Sequence, residues 1–201
     1  MTVLLTNGVP RVLNYVRWML PGVLLALAAY LLLRPLRRRH LRARRRVSSG
    51  RRELALLVLF LYAGGIAALT LFPEPGWLWT GLHGYWTPLI DGSQMPLAHR
   101  TNLIPFSHGD SLFNLIGNIV MFLPFGFLGS LLWQGWNWKR GLCVGLLIAL
   151  GIECWQLCIG RFFDMDDVIL NALGVFCGGL LRKPLEKRAP KFVQTLHKRI
   201  W

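Results

Sequence analysis

Acidic residues are scarce in this chain: nine Asp and Glu stand among 201 residues against 23 Lys and Arg, and charged residues of both signs make up only 16%. With 54% hydrophobic residues, so little charge cannot clothe one soluble core of this length. Cysteine is sparse as well. Cys143, Cys154, Cys158 and Cys177 all fall in apolar runs, which excludes a disulfide framework or a zinc spacing and leaves them as small packing residues. No strained Gly-x-Ser-x-Gly turn is present, and Ser107 and Ser111 beside His108 lack a third orienting group. His83, His99 and His108 share a segment with Asp91 and Asp110, but their irregular spacings match no metal signature. There is no internal repeat. No small-residue cleavage site follows the first apolar run, so the first helix is expected to be retained.

What the chain does have is long apolar runs. A bilayer-spanning helix needs about 20 mostly apolar residues, and five segments approach or reach that length: 12–33, 54–72, 112–133, 141–159 and 168–181. The first is interrupted by Arg17 and Pro21, the third by Asn114, Asn118 and Pro124, the fourth by Glu153 and Gln156. The fifth is too short alone, so spanning draws Asp164 and Asp167 to the membrane edge. Pro105 and Pro124 are expected to set turns or kinks around the third helix. The expected fold class is all-α, a polytopic helical membrane protein of about five transmembrane helices.

The net charge of +14 would suggest nucleic acid in a soluble protein. Topology explains it better. The arginine-rich stretch 34–52, the pair Lys139 and Arg140, and the basic residues after 181 all fall on one side of five alternating spans. The positive-inside rule makes that side cytoplasmic, with the N-terminus out, the C-terminus in, and segments 73–110 and 160–166 facing outward. The basic run is then a topogenic loop that touches anionic lipid, and no nucleic-acid partner is expected.

Two further stretches have distinct character. Trp77, Trp79, Tyr85 and Trp86 suit the outward segment to the headgroup level. In the tail, Phe192, Val193, Leu196 and Ile200 recur at helical spacing among Lys191, His197, Lys198 and Arg199, the pattern of a basic amphipathic helix on the inner leaflet. The chain thus divides into a first helix with its basic loop (1–53), a four-helix membrane unit (54–181) and a basic tail (182–201).

The strongest functional signal is a set of polar residues at one depth on three helices. Glu153 and Gln156 share a face of the fourth; Asp164, Asp167 and Asn171 share one as the fifth begins; Asn114 and Asn118 do so on the third. A carboxylate in a bilayer costs about 2.5 to 3.5 kcal/mol on insertion scales, so each must face a partner or water. Arg161, in the turn between the fourth and fifth helices, is the expected partner for Glu153, Asp164 or Asp167. Two readings stand: a polar clasp joining three helices, or a ligand pocket open to the outer leaflet. Counting Asp166, the acids outnumber the one nearby arginine, which favours a ligand, protons or a cation. A hard divalent metal on Glu153, Asp164 and Asp167 is chemically allowed, but no loop spacing supports it.

Asn102-Leu-Ile-Pro-Phe106, Asn118-Ile-Val-Met-Phe-Leu-Pro-Phe-Gly126, Glu153-Cys-Trp-Gln156, Gly160-Arg161, Asp164-Met-Asp-Asp167 and Asn171-Ala-Leu-Gly174, in this order and with these gaps, resemble the VanZ-like family over residues 69–179. The resemblance implies a multi-pass protein of a bacterial cytoplasmic membrane associated with lowered susceptibility to teicoplanin-type glycopeptides. It implies no established reaction and no cofactor. The family's polar motif positions fall on Asn102, Asn118, Glu153, Gln156, Arg161, Asp164, Asp167 and Asn171. The expected partners are membrane lipid and a lipid-linked cell-wall precursor or lipoglycopeptide. An enzyme acting on a lipid-linked substrate, with Glu153 or Asp167 as general base, and a structural scaffold are the rival readings.

Overall fold

The computed structural model describes residues 2–71, 100–107, 112–196 and 199–200, with side chains from residue 13 onward except at 113 and beyond 196. Five helices are long and apolar enough to cross a membrane. In chain order the elements are α1 (Thr2–Ala43), β1 (Arg46–Val47), α2 (Gly50–Thr70), β2 (Thr101–Asn102), α3 (Leu112–Leu132), α4 (Trp138–Cys158), β3 (Phe163–Asp164), α5 (Met165–Leu180), α6 (Arg182–Arg188), α7 (Pro190–Thr195) and β4 (Arg199–Ile200). Leu24, Leu32 and Leu147 are 63%, 73% and 71% exposed along these spans, a surface suited to lipid and not to water. The protein is an all-α multi-pass membrane protein.

The first helix is longer than its apolar run. It continues to Ala43, so most of the arginines expected in a loop are helical, and only residues 44–49 connect α1 to α2. Arginine is a good helix former, and Leu33, Leu36 and Leu41 keep apolar positions recurring through the basic stretch. α1 packs closely along α2 where Gly22 and Gly64 face each other; a Cβ on Gly22 would lie 2.1 Å from the Gly64 carbonyl oxygen.

α5 packs between α3 and α4, and α3 and α4 barely touch. α3 and α5 run parallel in the closest contact of the fold: a Cβ on Gly126 would sit 1.8 Å from the Val175 oxygen, and one on Gly178 1.9 Å from the Leu123 oxygen. Pro124 lies inside α3 without ending it. It removes the N–H that would bond Val120, and Tyr62 Oη donates to the neighbouring carbonyl of Met121 at 2.6 Å.

The basic end of the bundle is tied by α2. Glu53, 5% exposed, pairs with Arg37 and lies 3.9 Å from Arg34, and Tyr30 Oη donates to it at 3.1 Å. Arg52, 2% exposed, donates to the carbonyls of Leu132 and Leu196. The tail is therefore not a single helix on the membrane surface. Val193 and Leu196 are buried against Leu131, and Arg199–Ile200 pairs antiparallel with Arg46–Val47. Folding back gives Arg52 Nη1 a second carbonyl acceptor and covers Leu131, which a tail lying on lipid would leave open.

Candidate polar site at the acidic end

The opposite end is built around the turn from α4 to α5. α4 stops at Cys158, Gly160 takes a left-handed conformation (φ 82°), and the chain extends through Phe163–Asp164 before α5 begins. Asp164 caps α5, its Oδ1 accepting from the Asp166 N–H at 2.9 Å. Its own N–H donates to Glu153 Oε2 at 2.9 Å, which fixes the turn to α4. Glu153 is 1% exposed.

Residues 100–107 lie across this turn as a strap. Thr101–Asn102 pairs in parallel with Phe163–Asp164, and the Phe163 N–H donates to the Arg100 carbonyl at 2.8 Å. Asn102 Nδ2 donates to Asp164 Oδ1 at 3.2 Å, while Asn102 Oδ1 accepts from Ser107 Oγ at 3.1 Å. Phe106, itself left-handed (φ 57°), donates its N–H to Asp166 Oδ1 at 2.7 Å. Leu103, Ile104 and Phe106 project outward, 61%, 70% and 59% exposed.

On α3, Asn118 Nδ2 donates to Asp167 Oδ1. That contact has the same register as the Gly126–Val175 approach, so the close glycine packing of α3 on α5 aligns it. Asn102, Asn118, Glu153, Asp164 and Asp167 are thus brought together by three helices and the strap. Asn114, one turn earlier on α3, is exposed. Asn171, 4% exposed, lies one turn deeper on α5, and its Oδ1 has no hydrogen-bond partner among the described residues.

Two of the expected residues work elsewhere. Gln156 Nε2 donates to the Thr70 carbonyl at 3.0 Å and Arg161 Nη1 approaches the same oxygen at 3.5 Å, while Trp155 Nε1 bonds the Leu71 carbonyl at 2.7 Å. The end of α2 leaves carbonyls that lipid cannot satisfy, and these three side chains cover them. Among the described residues no ion pair within 4 Å joins Arg161 to Glu153, Asp164 or Asp167, contrary to the expectation from sequence. The left-handed turn at Gly160 directs Arg161 toward α2 instead.

Asp166 is the residue that sequence spacing undervalues. It lies off the face shared by Asp164, Asp167 and Asn171, yet it is 1% exposed and holds the strap through one oxygen, while its Oδ2 has no partner among the described residues. The clue available was its position in the first turn of a helix, where a carboxylate is favoured. Among the described residues no group of three or more His, Cys, Asp or Glu has the arrangement of a metal site. Trp77, Trp79, His83, Tyr85, Trp86, Asp91, His99, His108, Asp110 and Ser111 lie outside the described residues. The cysteines do not pack as expected: Cys143, Cys154 and Cys158 are exposed on the bundle surface, and only Cys177 is half-buried.

No curated protein and no solved structure matches the chain. A family model described as VanZ/LLP1 matches residues 23–185, a span that reaches past the sequence motifs to take in the second half of α1 and the basic connection to α2. That span holds every polar residue of the acidic end, and the chain belongs to the VanZ/LLP1 family.

Proposed function

We propose that the acidic end faces outward from a bacterial cytoplasmic membrane and binds an acyl-bearing envelope component or lipoglycopeptide, lowering susceptibility to teicoplanin-type drugs without covalent chemistry. The observation that carries this reading is a pair of buried acceptors, Asp166 Oδ2 and Asn171 Oδ1, that no donor among the described residues satisfies. Buried acceptors are nearly always paired, so a ligand N–H or O–H is the natural complement. The exposed Leu103, Ile104 and Phe106 beside them suit an acyl chain. The orientation follows from the basic residues at the other end.

A polar clasp is the second reading, and the closed bonds Asn118–Asp167, Asn102–Asp164 and Asp164–Glu153 favour it. Inhibitory concentrations of teicoplanin and vancomycin in a susceptible bacterium separate the two. Expression of the wild-type chain should raise the teicoplanin value selectively. Asp166→Asn and the pair Glu153→Gln with Asp167→Asn should abolish that rise at unchanged membrane abundance. Loss of abundance in parallel with resistance supports the clasp, and undiminished resistance in both overturns ligand binding at this end.

A further inference from the structure

A second feature lies at the opposite end of the bundle. The outer turns of α4 are tied to the last turn of α2 through Trp155, Gln156 and Arg161, but the two helices otherwise make little direct contact. A cleft of about 480 Å³ is lined by Leu59 of α2, Val144 and Ile148 of α4, Phe125 of α3 and Val175 of α5. Trp133 and Arg140 stand at its basic-end mouth.

Arg140, Val144 and Ile148 recur every four residues and so form one stripe of α4. From Arg140 to Ile148 the helix rises about 12 Å, most of the roughly 15 Å depth of one hydrocarbon leaflet. The walls are almost wholly apolar. The mouth is cationic: Arg140 donates from Nη1 to the Gly135 carbonyl at 3.0 Å and makes no ion pair among the described residues, which leaves most of its five N–H donors for a ligand. An apolar slot nearly one leaflet deep, with one guanidinium at its mouth that makes no ion pair among the described residues, matches an acyl chain that ends in a phosphate.

We infer that this cleft holds one acyl chain of an anionic phospholipid from the basic-end leaflet, its phosphate bound by Arg140. The site is separate from the acidic end and independent of any ligand there. Lys139 is not part of it, since its Nζ lies over the Trp138 ring at 5.5 Å.

Native mass spectrometry of the full chain in mild detergent, with phosphatidylglycerol or phosphatidylcholine of matched chains added, tests the inference. One basic residue at a lipid surface gives about a five-fold preference for the anionic headgroup. Arg140→Gln should abolish that preference while leaving weak binding of both lipids; Lys139→Gln should leave it intact. Val144→Trp, which fills the cleft, should remove bound phosphatidylglycerol at an unchanged melting temperature. Equal binding of the two lipids by the wild type, or unchanged preference in Arg140→Gln, overturns the inference. So does a dimer that Val144→Trp dissociates, which would make a second copy the occupant.

Discussion

Arg52 provides the sharpest test of how the basic end is held. The residue is 2% exposed, and its guanidinium reaches two carbonyls from distant parts of the chain, Leu132 at the end of α3 and Leu196 in the tail. Hydrogen bonds to charged groups contribute about 1.5 to 3 kcal/mol each, so Arg52→Ala should cost about 3 to 6 kcal/mol. Deleting residues 190–201 removes the Leu196 acceptor together with the packing of Val193 and Leu196 on Leu131. In the truncated chain Arg52→Ala should then cost only the Leu132 bond, about 1.5 to 3 kcal/mol. Equilibrium unfolding in mixed detergent micelles of the wild type, both single changes and the combination closes the cycle. The expected coupling is about 1.5 to 3 kcal/mol; additivity within about 0.5 kcal/mol refutes the idea that Arg52 fastens the tail to the bundle.

Gly178→Ala should destabilise by about 1 to 3 kcal/mol or more, because the new Cβ meets the Leu123 oxygen and forces α3 from α5, disturbing the Asn118–Asp167 bond. Gly117→Ala, where a Cβ meets nothing within 4 Å, should be neutral or slightly stabilising; equal losses in the two variants would show that the backbone approach does not matter. In a cysteine-free background, Phe162→Cys should react with a membrane-impermeant maleimide in intact cells and Arg44→Cys should react only after lysis. The reverse pattern would invert the proposed orientation.

The spans and the polar residues were legible because their physics is local. A run of about 20 apolar residues requires lipid whatever it packs against, and an Asn or Asp within such a run stands out against it. The helical spacing of Asp164 and Asp167 and of Glu153 and Gln156 put each pair on one side of its helix. Spacing along one helix does not say which neighbour that side meets, however: Glu153 meets the Asp164 N–H, whereas Gln156, one turn later, covers the end of α2. Asp166 was counted only for its charge, because its contact with the strap through the Phe106 N–H depends on a segment 60 residues away.

By itself, then, the sequence determined the solvent of this protein, the number of its spans, the charge difference between its ends and the residue types available for a polar site, because transfer energies and helical periodicity act residue by residue. Only the tertiary structure decided the partners. Backbone contact at Gly126 and Gly178 set the register of α3 on α5, the left-handed turn at Gly160 gave Arg161 the Thr70 carbonyl of α2 in place of a carboxylate ion pair, and the buried Arg52 drew the tail back onto the bundle. Each of these depends on groups far apart in the chain, whose geometry is fixed only once the helices have packed.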